Sequence, residues 1–326
     1  MKTKTQTSLI FGIAAVLCLD TPHALADLRV REIIQNSALS IDGFGSLSDN
    51  GFLQANIPAG STIQRAYLYA SSVWNFNPLF GVTFNGTSLS VSSGSILGPN
   101  NNPATTVRWD VTSIVASSSL TGGLQNFSIT EHGNNDGAVL VVAYSNSSTQ
   151  GFTSAILDGE LSTTGDTARF DFLNPYAGGD FLVSLASSFS RQPSGQFTQI
   201  DVTTNSTTNR RLTSTAGGQD DGEGANGGLM TVGGIGDDPA NPDPFADPFD
   251  GPRVDDEYYN LALGNVANSA PFLSMGDDFV SLTTLNPSDD DNVFGMFITS
   301  EFAIIPAPGS IAVLALAGLN ARRRRR

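Results

Sequence analysis

The sequence predicts an all-β protein, an antiparallel β-sandwich or jelly-roll built as one sandwich or as two packed halves. Three observations carry that reading. Short runs rich in β-branched and aromatic residues recur from Leu28 onward, broken by Gly, Asn, Asp and Ser. Asn85-Gly86 stands between two such runs, the turn signal of a type I′ hairpin, and Asp136-Gly137 and Asp158-Gly159 resemble it. No window of a dozen residues between the two ends keeps a helical period, apart from one turn at Asp110–Val115, with Asp110 as its N-cap.

The candidate strands, in order, are Leu28–Gln35, Phe52–Ile57, Ile63–Ala70, Gly81–Phe84, Thr87–Val91, Thr105–Val111, Asn126–Glu131 and Ala138–Tyr144. They continue with Phe152–Leu157, Thr167–Phe172, Phe181–Phe189, Phe197–Thr203, Asp278–Leu285 and Val293–Ile304. Along Ile63–Ala70 the residues Ala66, Leu68 and Ala70 alternate with Tyr67 and Tyr69, so both faces of that strand are expected to be covered. Residues 210–256 are rich in Gly, Pro and Asp with little to bury, and read as a long acidic loop inserted between strands.

The two ends differ from this pattern. Lys2 and Lys4 precede an apolar run from Leu9 to Leu19, and Ala24-Leu25-Ala26 completes a secretory signal peptide over residues 1–26, cleaved after Ala26. Leu17 before Cys18 fits a lipoprotein signal poorly. An exported domain is expected over residues 27–303, and residues 304–326 read as a separate tail. That tail holds Pro306-Ala307-Pro308, an apolar helix over Ile311–Leu319 and five arginines, Arg322–Arg326. Even counted from Ile304 to Leu319, its 16 residues give roughly 24 Å of helix, short of the roughly 20 residues of a stable span. The arginines would keep its end cytoplasmic and leave the domain outside.

The tail resembles the PEP-CTERM sorting signal of bacterial exported proteins, also called the ice-binding protein C-terminal domain. Ala307 departs from it, since the family usually has Glu between the prolines. The resemblance implies export, transient membrane anchoring, and cutting by an exosortase-type enzyme near Pro306 and Pro308, with release to the cell envelope, surface or extracellular matrix. It implies nothing about ice. Three further segments, Ile63–Tyr69, Asp110–Val115 and Gly137–Tyr144, resemble in order and spacing an uncharacterised β-rich domain of bacterial surface proteins. Asp255–Leu261 and Asn286–Asn292 look like its companion region.

Charge narrows the chemistry. Residues 27–305 hold nine Arg, no Lys and 30 acidic residues, a net charge of 9 − 30 = −21, which argues against nucleic acid and anionic lipid as partners. Without Lys there is no Schiff base and no Walker-type lysine, and the aspartates around Gly233-Gly234-Ile235-Gly236 would repel a phosphate. His132 is the one histidine of this part, and without Cys it cannot complete a zinc site. It reads as a hydrogen-bonded loop residue. Asp220–Asp291 carries 16 acidic residues against Arg253 alone, a charge of 1 − 16 = −15. Its clusters Asp237-Asp238, Asp255-Asp256-Glu257 and Asp289-Asp290-Asp291 are candidate calcium ligands, and a solvated acidic surface is the equal alternative. The expectation is a non-enzymatic surface or matrix protein. A carbohydrate-binding module using Trp74, Tyr67 or Trp109 toward envelope or matrix polysaccharide is the second reading, and a secreted carboxylate hydrolase the third.

Overall fold

The computed structural model describes residues 28–307, apart from 46–47, 73–79, 98–104, 119–121, 134, 160, 162–164, 189–197, 217–229, 242, 246–256 and 288–291. In chain order its strands are β1 (Arg29–Gln35), β2 (Ala38–Gly45), β3 (Asn50–Ile57), β4 (Thr62–Ser72), β5 (Val82–Phe84), β6 (Thr87–Leu89), β7 (Ser95–Leu97) and β8 (Thr105–Asp110). After the short helix α1 (Thr112–Ser117) come β9 (Gly123–Glu131), β10 (Gly137–Ser145), β11 (Thr153–Asp158), β12 (Thr167–Phe172), β13 (Phe181–Ser188), β14 (Thr198–Thr203) and β15 (Arg210–Ala216). The rest are β16 (Met230–Val232), β17 (Tyr258–Asn260), β18 (Phe279–Leu285), β19 (Asn292–Ser300) and β20 (Ile304–Pro306). The all-β sandwich prediction holds.

Four antiparallel sheets stack as four layers. An outer sheet ordered β3-β9-β5-β6 covers an inner sheet ordered β2-β10-β4-β8-β7. A second inner sheet, β1-β11-β19-β13-β16 with β17 also on β13, is covered by a second outer sheet, β15-β14-β18-β12-β20. Strand alternation explains the stack. On β4 and β10, Ala66, Leu68, Ala70, Leu140 and Val142 face the first outer sheet, where Leu53, Phe84 and Phe127 meet them. From the same strands Tyr67, Tyr69, Val139 and Val141 face the other way, onto Ile156, Phe294 and Phe297 of the second inner sheet. Its β11 and β19 then turn Leu157, Met296 and Ile298 toward Phe170, Val202 and Leu282 of the last layer. Both inner sheets are therefore buried on both faces.

Several sequence expectations need correction. The 210–256 segment is not one loop, because β15 and β16 lie in it. Leu212 and Ala216 enter one core and Met230 and Val232 another, apolar positions hidden among Gly and Asp. β2 was unexpected because Ser40, Asp42, Gly43 and Gly45 look like loop residues. Its polar groups are used: the Ser40 hydroxyl accepts the Asn56 N–H at 2.8 Å and the Asp42 carboxylate accepts that of Gln54 at 2.5 Å. The last long run splits into β19 and β20, so strand pairing continues past residue 303, with Pro306 opposite Phe170. The N-cap of α1 is Val111 rather than Asp110, whose carboxylate instead accepts the Thr112 N–H at 3.0 Å.

Asn85 and Gly86, at φ 45° and 78°, make the expected β5–β6 hairpin. Asp136-Gly137 and Asp158-Gly159 make none. The first leads from one sheet into another, and the second ends β11. The apolar tail helix predicted over 311–319 and the signal peptide lie outside the described residues. No described helix is long and apolar enough to cross a membrane.

Candidate functional site

Where the two halves of the stack meet, the turn after β16 folds back onto β2. Gly234 approaches so closely that a Cβ there would lie 2.2 Å from the Ile41 carbonyl oxygen, so no side chain fits. The Ile235 N–H donates to that carbonyl at 2.9 Å. Beside this contact opens a cleft of about 260 Å³, lined by Leu39, Ser40 and Ile41 of β2, Asn56 of β3, Tyr144 of β10, Gly234–Gly236 and Tyr258 of β17. Asp237 closes the turn. Its carboxylate accepts the Gly234 N–H at 2.6 Å.

The wall holds no cation and no carboxylate, and its chemistry is that of two phenols. Among the described residues no group accepts a hydrogen bond from the hydroxyl of Tyr144 or of Tyr258. Burial pushes the Tyr258 phenol up to about 12, with Tyr144, Asp237 and Asp180 adding to the shift. Burial raises Tyr144 as well. Both side chains therefore stay neutral at any physiological pH, able to donate and accept one hydrogen bond each.

Tyr67, Tyr69 and Tyr176 are also raised, chiefly by burial. A raised folded-state value means that the folded protein holds the proton more tightly than the unfolded chain. That stabilisation is complete below about pH 10 and is lost as pH climbs from there toward 12. Denaturant midpoints measured across that range are expected to fall steeply, and Tyr258→Phe is expected to flatten part of the fall.

The residues singled out from sequence do not form one centre. Asp237 is half-buried at the cleft, Asp238 is exposed beside it, and Glu257 is buried at φ 43°, where its carboxylate receives the Tyr259 hydroxyl at 3.3 Å. Asp255, Asp256, Asp289, Asp290 and Asp291 lie outside the described residues, as do Ala26, Pro308 and Trp74. Among the described residues no three of His, Cys, Asp and Glu come together to hold a metal ion. The Gly233–Gly236 amides offer no phosphate cradle, because Asp237 and Ile41 already take two of them.

Two of the three expected sugar-stacking aromatics are corrected to core residues. Trp109 is buried with its indole N–H donated to the Ser90 carbonyl at 2.8 Å. Tyr67 is buried with its hydroxyl on Glu32 at 2.9 Å. His132 bonds the Thr83 hydroxyl at 3.0 Å. Sequence reasoning missed Tyr144 and Tyr258. The Asp-Asp-Glu cluster drew attention to its charge, while the tyrosine after it forms the wall.

Comparison with known proteins adds a family and little else. The chain belongs to the family described as "Protein of unknown function (DUF3344)", matched over residues 40–229. That span takes in Ile63–Tyr69, Asp110–Val115 and Gly137–Tyr144. It stops before β16 and so before half of the cleft. No curated protein matches the chain. Among solved structures the major capsid protein P2 of bacteriophage PM2 is similar at 12% identity, covering 84% of this chain and 99% of its own. At a TM-score of 0.21 that likeness carries no argument.

Proposed function

We propose that this family member is a non-enzymatic protein of the bacterial cell surface or extracellular matrix, exported through residues 1–26 and anchored transiently by its C-terminal tail. The observation that carries the reading is that described packing reaches Leu28 at one end and Ala307 at the other, beside the two predicted processing points. Leu28, two residues after Ala26, is already built in, with its side chain buried beside Leu161 and Val293 and its N–H on the Asp166 carboxylate at 3.2 Å. At the other end the Ala307 N–H donates to the Arg169 carbonyl at 2.9 Å, between Pro306 and Pro308. Cutting after Ala26 and beyond Ala307 would remove none of the described strands. The lysine-free, strongly acidic surface suits an exterior setting and needs no disulfide partner.

Export machinery and an exosortase-type enzyme are the implied partners. A processing enzyme acting at the prolines would cut beyond Ala307 or first unzip β20 from β12, because Pro306 is paired there. Cell fractionation tests the reading. Deleting Arg322–Arg326 is expected to move the protein from its mature envelope or matrix form to a retained, unprocessed form. The same final location with and without the arginines would remove the sorting argument.

The acidic clusters support calcium as a stabiliser at the weak, extracellular end of its affinity range. Millimolar calcium is expected to raise the unfolding temperature more than the same ionic strength of sodium. Equal effects of the two salts would leave the carboxylates as a solvated surface.

A further inference from the structure

We propose that the Tyr144–Tyr258 cleft is a binding site for a single neutral sugar ring or a polyol of that size. The open cleft of about 260 Å³ is near the lower end of small-molecule sites, room for one ring. The wall mixes the half-buried Leu39 with hydroxyls, an amide and main-chain groups, a mainly polar surface that a rim of hydroxyls matches, while the Ile41 side chain packs into the core.

The two phenols have no acceptor among the described residues, and a hydroxylated ligand would supply one and donate in return. Anions are disfavoured. The lining holds no Arg, Lys or His, and Asp237 and Asp180 lie close enough to raise Tyr258. Asp237 does not make it a cation site, since it is not part of the lining and no three acidic or imidazole groups come together there among the described residues. Asn56 also ends the outward row of β3 that holds Phe52 and Gln54, so a longer glycan anchored in the cleft would meet an uncharged strand.

This inference moves the carbohydrate reading away from Tyr67 and Trp109. It is independent of sorting, because its test uses purified full-length protein. Saturation-transfer NMR would screen glucose, galactose, mannose, N-acetylglucosamine and glycerol, with choline and inorganic phosphate as charged probes. At least one neutral sugar is expected to bind with a dissociation constant of about a millimolar, the strength typical of so few contacting atoms. Tyr258→Phe and Tyr144→Phe are each expected to weaken it at least about fivefold, one hydrogen bond's share. Tyr176→Phe, whose hydroxyl bonds the Gly179 carbonyl, is expected to leave it unchanged. Tyr144→Phe keeps the test open if the Tyr258 variant fails to fold. Silence from every neutral probe, binding unaffected by both cleft variants, or choline or phosphate bound in place of sugar would each overturn the proposal.

Discussion

Asp158→Ala is expected to cost about 3–5 kcal/mol, a large share of the stability of any single domain. Asp158 ends β11 and Arg108 lies on β8, so their ion pair crosses the seam between the two inner sheets. Both side chains are under 9% exposed. The Tyr69 hydroxyl donates to the same carboxylate at 3.0 Å, and the Arg108 guanidinium lies 5.3 Å from the Tyr67 ring centre. Removing Asp158 leaves a buried guanidinium without its counter-charge, and most of the cost comes from that orphan rather than from the lost attraction. Arg108→Met is expected to cost a similar amount for the mirror reason. The combination Arg108→Met, Asp158→Leu and Tyr69→Phe removes every charged or bonding member, and is expected to recover most of the loss. Urea midpoints at unchanged slope measure all three. Single changes costing under about 1 kcal/mol would mean that water reaches the pair as it does a surface ion pair.

That seam was half legible in the sequence. The alternation of Ala66, Leu68 and Ala70 with Tyr67 and Tyr69 announces a strand covered on both faces, and the stack bears this out. It could not say what covers the tyrosine face. Ile156 and Phe297 come from strands far along the chain, and local periodicity carries no record of distant partners. β2 was hidden for a different reason: Ser40 and Asp42 have the composition of a loop until the β3 amides they accept are known. The candidate site divides in the same way. Asp237 stood out as charge, whereas Tyr144 and Tyr258 become a pair only when β10 and β17, from opposite halves, reach the same edge.

Phe297→Ala is expected to destabilise the whole stack in a single transition, by about 3–5 kcal/mol. Phe297 lies on β19, which runs between β11 and β13 at the centre of its sheet. Its ring packs in the seam, 5.6 Å from the Tyr69 ring centre. Its neighbours Met296 and Ile298 point the opposite way, into the core under the second outer sheet. The site cannot collapse easily. Gly295 already sits so near the ring that a Cβ there would come within 2.5 Å of it, and glycine has no side chain to swing into the void. The cavity should therefore persist, toward the upper end of the range. Because one strand carries residues of two cores, loosening the seam also loosens the sheet that both cores share. Fluorescence and circular dichroism are expected to report one coincident midpoint, shifted together. Two separated transitions, with only one moved by the substitution, would show instead that the halves fold independently and that the seam merely joins them.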